Sequence, residues 1–184
     1  MLDSGIIKTP KFNIEGYNDI KRINGGELLE YLAEEYNKNG REGNVVICYS
    51  NKRANRYNNG IRARILFHEE ELSAGDYLMV ARNSYYWVED IPEVGFIANG
   101  DIVEVTRIGK RYEMYGFQFA DITIRLLDDN RQLIDVRIIL DSLMMDGPSL
   151  GSEHMKNLYQ QVAMDYMHIK THKARLKKIK EDPF

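Results

Sequence analysis

A polar segment that follows an apolar run carries the residue types that hold phosphate. Residues 45–48 are apolar, and the segment after them is rich in cations and contains no acid. Ser50 and Asn51 are types favoured at a helix N-cap, and the free N–H groups of a helix N-terminus attract anions. The candidate phosphate-binding residues are Ser50, Asn51, Lys52 and Arg53, and Arg56 and Asn58 are further candidate binding residues on the same helix. We therefore expect a phosphate-binding junction between a strand and a basic helix.

Two strand-helix units are predicted to position this junction. Residues 45–48 are typical of a strand buried on both faces, as in a parallel sheet, and residues 20–23 are predicted to form a shorter strand. Between them, Asn24 and Glu27 have capping-box spacing, and Asn39-Gly40 marks the end of the helix that follows. The predicted buried stripe of that helix is Leu28, Leu29, Leu32 and Tyr36. The predicted buried face of the basic helix is Ala54, Tyr57, Ile61 and Ile65.

Beyond Leu72 the apolar residues alternate with polar ones, which predicts antiparallel strands. We expect strands over residues 77–82, 101–108, 113–127 and 134–140, with turns at Gly109-Lys110 and at residues 128–130. Ile122, Ile124 and Leu126 should face the core. A helical tail should open near Pro148 and Ser149 and bury Met155, Leu158, Tyr159, Val162 and Tyr166. The predicted fold class is α/β plus β, with boundaries at 1–72 (partial α/β unit), 73–147 (inserted antiparallel β-barrel module) and 148–184 (helical segment).

Composition narrows the function classes. The chain has 184 residues, a net charge of −3 and one cysteine, Cys48. It has no signal-peptide pattern and no apolar run of the roughly 20 residues that a membrane span requires, so we expect a cytoplasmic protein with no membrane partner. The motif GxxxxGK[ST] is absent, which argues against nucleotide hydrolysis by this segment. A second basic cluster covers residues 168–180.

The sequence supplies no catalytic or metal-binding set. His168 and His172 are four residues apart, but no third ligand accompanies them, so a solvated helix face is the expected reading and no metal is predicted. Ser50 is a better helix cap than a nucleophile. Three consecutive aromatic residues, Tyr85, Tyr86 and Trp87, either stack on bases or fill the barrel core. For the basic helix, the alternative to phosphate binding is a solvated cationic face.

Several segments together resemble RecD-like superfamily 1 DNA helicases, the relatives of the exodeoxyribonuclease V alpha subunit. Ser50-Asn51-Lys52 and Asn58 resemble the "TNK…N" segment of the second motor domain. Residues 75–80 (GDYLMV), 83–85 (NSY) and 96–102 (FIANGDI) resemble the pattern that opens the inserted SH3-like domain of these helicases. Residues 115–121 (YGFQFAD) and 181–184 (EDPF) resemble segments of a bacterial branch of the family.

The resemblance implies a fragment: part of a RecA-like second motor domain with its inserted SH3-like barrel. The Walker motifs of the family precede this region, and its "HK.QG" and final arginine motifs follow it. His172-Lys173-Ala174 is similar to the start of "HKAQG", but Arg175-Leu176 replaces Gln-Gly. The parent would then be an ATP-dependent DNA helicase acting in DNA repair, with ATP and Mg as its cofactors. This segment would hold no cofactor, and alone it would be inactive.

The resemblance and the basic helix together predict the partners. Single-stranded DNA should bind weakly, in a salt-dependent manner, and the other helicase domains should pack on this segment. An open sheet edge can also pair with a second copy of the chain. The alternative function is a protein-interaction or structural module that docks on a DNA repair complex. An independent nuclease is disfavoured because no carboxylates cluster near a lysine.

Overall fold

The structure, a computed structural model, describes residues 13–127, 132–147 and 150–182. The described chain divides into two compact units between Val45 and Val46. It combines helices with an antiparallel sheet, a mixed α/β composition. The helices are α1 (Leu28–Asn39), α2 (Asn51–Arg64), α3 (Ser152–Asp165) and α4 (His172–Lys180). The strands are β1 (Tyr77–Met79), β2 (Ile102–Met114), β3 (Phe117–Leu126) and β4 (Leu133–Ile139).

The first unit is built on α1. Asn24 Oδ1 accepts hydrogen bonds from the backbone N–H groups of Gly26 and Glu27 at 2.8 and 3.1 Å, just before the helix begins. Gly40 ends it with φ of 70° and donates its N–H to the Tyr36 carbonyl, as the sequence predicts. Leu29 of the predicted stripe is 37% exposed. No residue of α1 is fully buried, so this helix has little core of its own.

The second unit is organised by a curled four-stranded sheet in the order β1-β2-β3-β4, with every neighbouring pair antiparallel. The predicted alternation of β3 is confirmed: Ile122, Ile124 and Leu126 are buried, and the residues between them are only half-buried. The main core cluster joins these side chains to β2, β4 and the loop after β1. Two 3₁₀ turns, Tyr86–Val88 and Leu140–Met144, follow β1 and β4.

The β2-β3 hairpin turns at a different place from the predicted one. Met114 pairs with Phe117, so the two-residue loop is Tyr115-Gly116. Both have positive φ, 55° and 76°, which is the backbone that a tight hairpin requires. The prediction of a turn at Gly109-Lys110 is wrong. Gly109 lies inside β2 at a register irregularity, where an added Cβ would stand 3.0 Å from the Asp121 carbonyl oxygen, a close approach typical of strand glycines.

Two predicted strands of the α/β portion are absent. Residues 20–23 and 45–48 have no strand pairing, and Val45 and Ile47 are 83% and 91% exposed, while Cys48 is half-buried. A parallel strand exists only where neighbouring strands satisfy its backbone, and the described residues supply none for these segments. The RecA-like arrangement and the division at 72 and 147 therefore stay predictions.

The C-terminal portion consists of two helices rather than one continuous tail. α3 buries Leu158 and Val162 as predicted, but Tyr159 is 50% exposed. The chain leaves the helix after Asp165 and resumes at His172, so His168 and His172 do not share one helix face. The predicted turn at residues 128–130, the helix opening at 148–149 and the matched residues 183–184 lie outside the described residues.

Candidate nucleic-acid interface

Ser50 caps α2 as its sequence predicts. Its backbone is extended (φ −150°, ψ 149°), and its side-chain oxygen accepts the N–H of Arg53 at 3.3 Å. The first turn contains no acid and two cations, Lys52 and Arg53. Among the described residues, no hydrogen bond engages the backbone N–H groups of Asn51 and Lys52, so the positive end of the helix dipole is open to an anion.

Helical geometry sorts the residues of α2 into three faces. At 3.6 residues per turn, each successive side chain is rotated by about 100°. The apolar face is Ala54, Tyr57, Ile61 and Ile65, all buried or half-buried as predicted. What we term the cationic face is Lys52, Arg53, Arg56 and Arg64. What we term the amide face is Asn51, Asn55, Asn58 and Asn59.

The cationic face is exposed and only partly neutralised. Lys52 Nζ lies 2.9 Å from Asp146 Oδ2, and both side chains are more than half exposed. The guanidinium of Arg53 lies 4.8 Å from the ring centre of Tyr49, which is itself 82% exposed. Arg56 makes no ion pair within the described portion of the chain. An exposed ion pair contributes about 0–1 kcal/mol, so a phosphate can displace Asp146 from Lys52 at small cost.

The amide face lines a cavity of about 230 Å³, which we term the amide cavity. The opposite wall is formed by β1 and by the 3₁₀ turn Leu140–Met144 with the residues after it. Met79 and Met144 on this wall are 61% and 54% exposed. Asn55 Nδ2 donates to the Met145 carbonyl at 2.6 Å, which fixes the first half of α2 against the wall.

A buried ion pair fixes the second half of α2. Asp76, only 4% exposed, accepts two hydrogen bonds from Arg62, at 2.8 Å on Oδ1 and 2.7 Å on Oδ2. His68 Nδ1 lies 2.9 Å from Oδ1, and the Ser73 N–H donates to Oδ2 at 2.7 Å. Burial raises the pKa of the Asp76 carboxyl, but the hydrogen bonds from Arg62, His68 and Ser73 outweigh it and hold that pKa below 3.8.

The three predicted stacking residues differ in their surroundings. Trp87 is half-buried and packs against the sheet core, as the core-filling alternative predicts for it. Tyr85 is 62% exposed and stacks on Phe96 with ring centres 5.2 Å apart, and Tyr86 is 45% exposed. None of these three aromatic side chains lines the amide cavity.

An acidic loop carries this aromatic pair. A bridge between Ser84 and Ile97 closes residues 85–96 into one loop. Glu89, Asp90 and Glu93 of this loop are exposed, and no ion pair joins them to another described residue. We term residues 85–96 the acidic aromatic loop. Its charge repels phosphate, so the loop is a poorer surface for nucleic acid than α2.

Sequence reasoning missed three residues of these surfaces. Asn55 and Asn59 belong to the amide face, and Phe96 to the acidic aromatic loop. A signal for the first two was present, because Asn51, Asn55 and Asn59 are spaced at i, i+4 and i+8 and so share one helix side. Phe96 carries no local signal, since the Ser84–Ile97 bridge brings it to Tyr85.

The described residues show neither of two common features of a site for Mg-bound ATP. The sequence has no phosphate loop of the Walker type, and the described part contains no group of His, Cys, Asp or Glu that could hold a metal ion. Within the same residues, no helix has the length and apolar character needed to cross a bilayer. Comparison with known protein families and with curated proteins finds no match to this chain.

Proposed function

We propose that this protein binds the backbone of single-stranded DNA through the cationic face and N-terminus of α2. In this proposal it is part of an ATP-dependent DNA helicase of the RecD-like kind, whose ATP-binding motifs lie outside this sequence. The resemblance of Ser50-Asn51-Lys52 and Asn58 to the "TNK…N" segment supports the assignment of the parent. The segment itself binds the DNA strand and does not hydrolyse ATP.

The position of Lys52 and Arg53 carries the proposal. Cations in the first turn oppose the helix dipole, by about 0.3–1 kcal/mol each, and the turn contains no acid to offset them. A pair of cations kept at an unfavourable position is expected where an anion binds. The uncapped N–H groups of Asn51 and Lys52 point to the same place.

Binding of a labelled oligonucleotide tests the proposal. Fluorescence anisotropy with a single strand of about ten nucleotides should show weak binding at low salt. The affinity should fall as salt rises, with about 0.7 in log–log slope for each neutralised phosphate. Changing Lys52 and Arg53 together to Ala should weaken binding. Absence of binding at low salt, or binding indifferent to salt, contradicts the phosphate assignment. Unchanged affinity in the double variant would assign the phosphate contacts to residues 168–180 instead of α2.

The acidic aromatic loop favours a second candidate function, docking of a basic protein segment. Exposed tyrosines are frequent anchors of protein interfaces, and a lysine or arginine over the Tyr85 ring would gain cation–π attraction. A lysine-rich peptide serves as the probe. Binding of that peptide, weakened about tenfold by Tyr85→Ala with Phe96→Ala, would favour this candidate, while no binding to the wild-type chain would remove it.

A further inference from the structure

The amide cavity has a chemistry that phosphate binding does not use. The side chains of Asn51, Asn58 and Asn59 have no hydrogen-bond partner among the described residues. Each amide carries both a donor and an acceptor, which suits a neutral partner with both functions. Arg62 and Asp76 also line the cavity, but they neutralise each other. Glu71 is the remaining charged residue of the lining.

The size and walls of the cavity restrict its occupant. Its volume of about 230 Å³ lies below the roughly 300–1,000 Å³ of pockets for drug-sized ligands. The exposed methionines Met79 and Met144 stand on the wall opposite the amides, and thioethers make favourable contacts with aromatic rings. A small, flat, uncharged ring with polar edges combines these requirements.

We propose that the amide cavity receives one nucleobase of the strand whose phosphates lie on the cationic face. This inference rests on the function proposed above. Asn side chains pair with the edge of adenine through two hydrogen bonds, and Asn58 and Asn59 hold that edge while the methionines contact the ring. The two faces are adjacent on one helix, so backbone and base bind to the same element.

The length of the cationic face indicates a strand rather than a free nucleotide. Lys52 and Arg64 are twelve residues apart, or about 18 Å along the helix axis, which exceeds the reach of one nucleotide. Successive phosphates of a strand can follow this face while a single base turns inward.

Paired oligonucleotides test the base site separately from the phosphate site. The probes are an oligoadenylate strand of about ten deoxynucleotides, an abasic strand with the same number of phosphates, and adenosine monophosphate. The wild-type chain should bind the adenine strand about tenfold more tightly than the abasic strand. The exposed double variant Asn58→Ala with Asn59→Ala should lose that preference and keep the salt dependence. Asn37→Ala, at an exposed position of α1, is the matched control and should change neither.

Each other result overturns a defined part of the account. Equal, salt-dependent binding of both strands leaves the phosphate site in place and removes the base site. No binding of either strand removes both. A preference for adenine that survives in the Asn58/Asn59 variant assigns the base to another surface. Adenosine monophosphate binding as tightly as the strand makes a free nucleotide the occupant and contradicts the proposal.

Discussion

Two helices of this protein are rich in cations, but they place them differently. α4 concentrates Lys177, Lys178 and Lys180 in its last turn, where they complement the negative end of the dipole. Glu181 pairs with two of them, at 3.6 and 3.3 Å. α2 has two cations in its first turn, Lys52 and Arg53, as well as cations in its last, whereas the first turn of α4 contains one lysine. Neither first turn contains an acid.

The difference separates two roles for positive charge. In α4, the terminal lysines stabilise the helix that carries them, although Lys173 in its first turn does not share this benefit. In α2, Lys52 and Arg53 oppose the dipole of their own helix, a cost that the proposed phosphate contacts would offset. Equal charge in two sequence segments therefore does not imply equal affinity for nucleic acid.

Removal of the buried acid that anchors α2 should have the largest effect. Asp76→Ala leaves Arg62 without its carboxylate, and breaking a buried ion pair of this kind should lower the free energy of unfolding by about 3 kcal/mol. Urea unfolding at pH 7 measures the loss. Glu69→Ala, an exposed acid before β1, is the control and should change stability little. A loss similar to the control's would mean that Asp76 does not anchor α2.

The same residue predicts a pH dependence. The pKa of Asp76 is lowered in the folded protein, so its contribution to stability is complete above the unfolded-chain value near 3.8. That contribution is lost as the pH falls through the lower folded value. The stability gap between wild type and Asp76→Ala should narrow in that acid range. A gap that stays constant through that acid range would contradict the assignment to Asp76.

A smaller effect is expected at the contact that fixes α4. Tyr166 Oη donates to Asp182 Oδ2 at 2.6 Å, and this hydrogen bond, with burial, raises the pKa of Tyr166 to about 12. Tyr166→Phe should lower the free energy of unfolding by about 1 kcal/mol. Because the folded pKa is raised, the contribution is complete below pH 10.0 and is lost as the pH rises through about 12.

Phenolate absorbance and urea unfolding check this prediction, with Tyr159→Phe as the exposed control on α3. Oligonucleotide affinity should stay unchanged in Tyr166→Phe. A clear drop in affinity would show that α4 contributes to binding and would weaken the distinction between the two helices.

The smallest expected effect comes from Asn51→Asp, which should change stability and oligonucleotide binding in opposite directions. Asn51→Asp places an acid at the first position of α2, so it should raise the free energy of unfolding by about 0.3–1 kcal/mol. The same charge repels phosphate and should weaken oligonucleotide binding. Lys178→Ala in α4 should do the reverse, with slightly lower stability and unchanged binding. If Asn51→Asp destabilises the protein, the first turn of α2 is not electrostatically unfavourable.

Local patterns predicted much of this structure. The alternation in β3 depends only on which side chains face the core. The Ser50 cap depends on one residue next to a helix. Both features could therefore be predicted from the sequence. The buried face of α2 followed from its helical period in the same way. These features are decided within one element and its immediate flank.

Features that depend on distant partners could not be found in this way. The apolar run 45–48 has the composition of a buried strand, but no described strand pairs with it. Gly109-Lys110 is a residue pair typical of a turn, but β2 continues through it with an irregular register, and the hairpin turns at Tyr115-Gly116, which have the positive φ angles. Asp76 is buried because Arg62 and His68 pair with it. The local sequence, a Gly-Asp pair before a strand, does not indicate which residues these partners are.

The salt dependence of single-strand binding in two double variants tests the central claim most directly. Lys52→Ala with Arg53→Ala should reduce the log–log salt slope by about 1.4, or about 0.7 for each lost contact, and should weaken affinity at low salt. Lys177→Ala with Lys178→Ala removes the same charge from α4 and should leave slope and affinity as in the wild type. The opposite result, in which only the α4 variant loses slope, would contradict the assignment of the strand to α2.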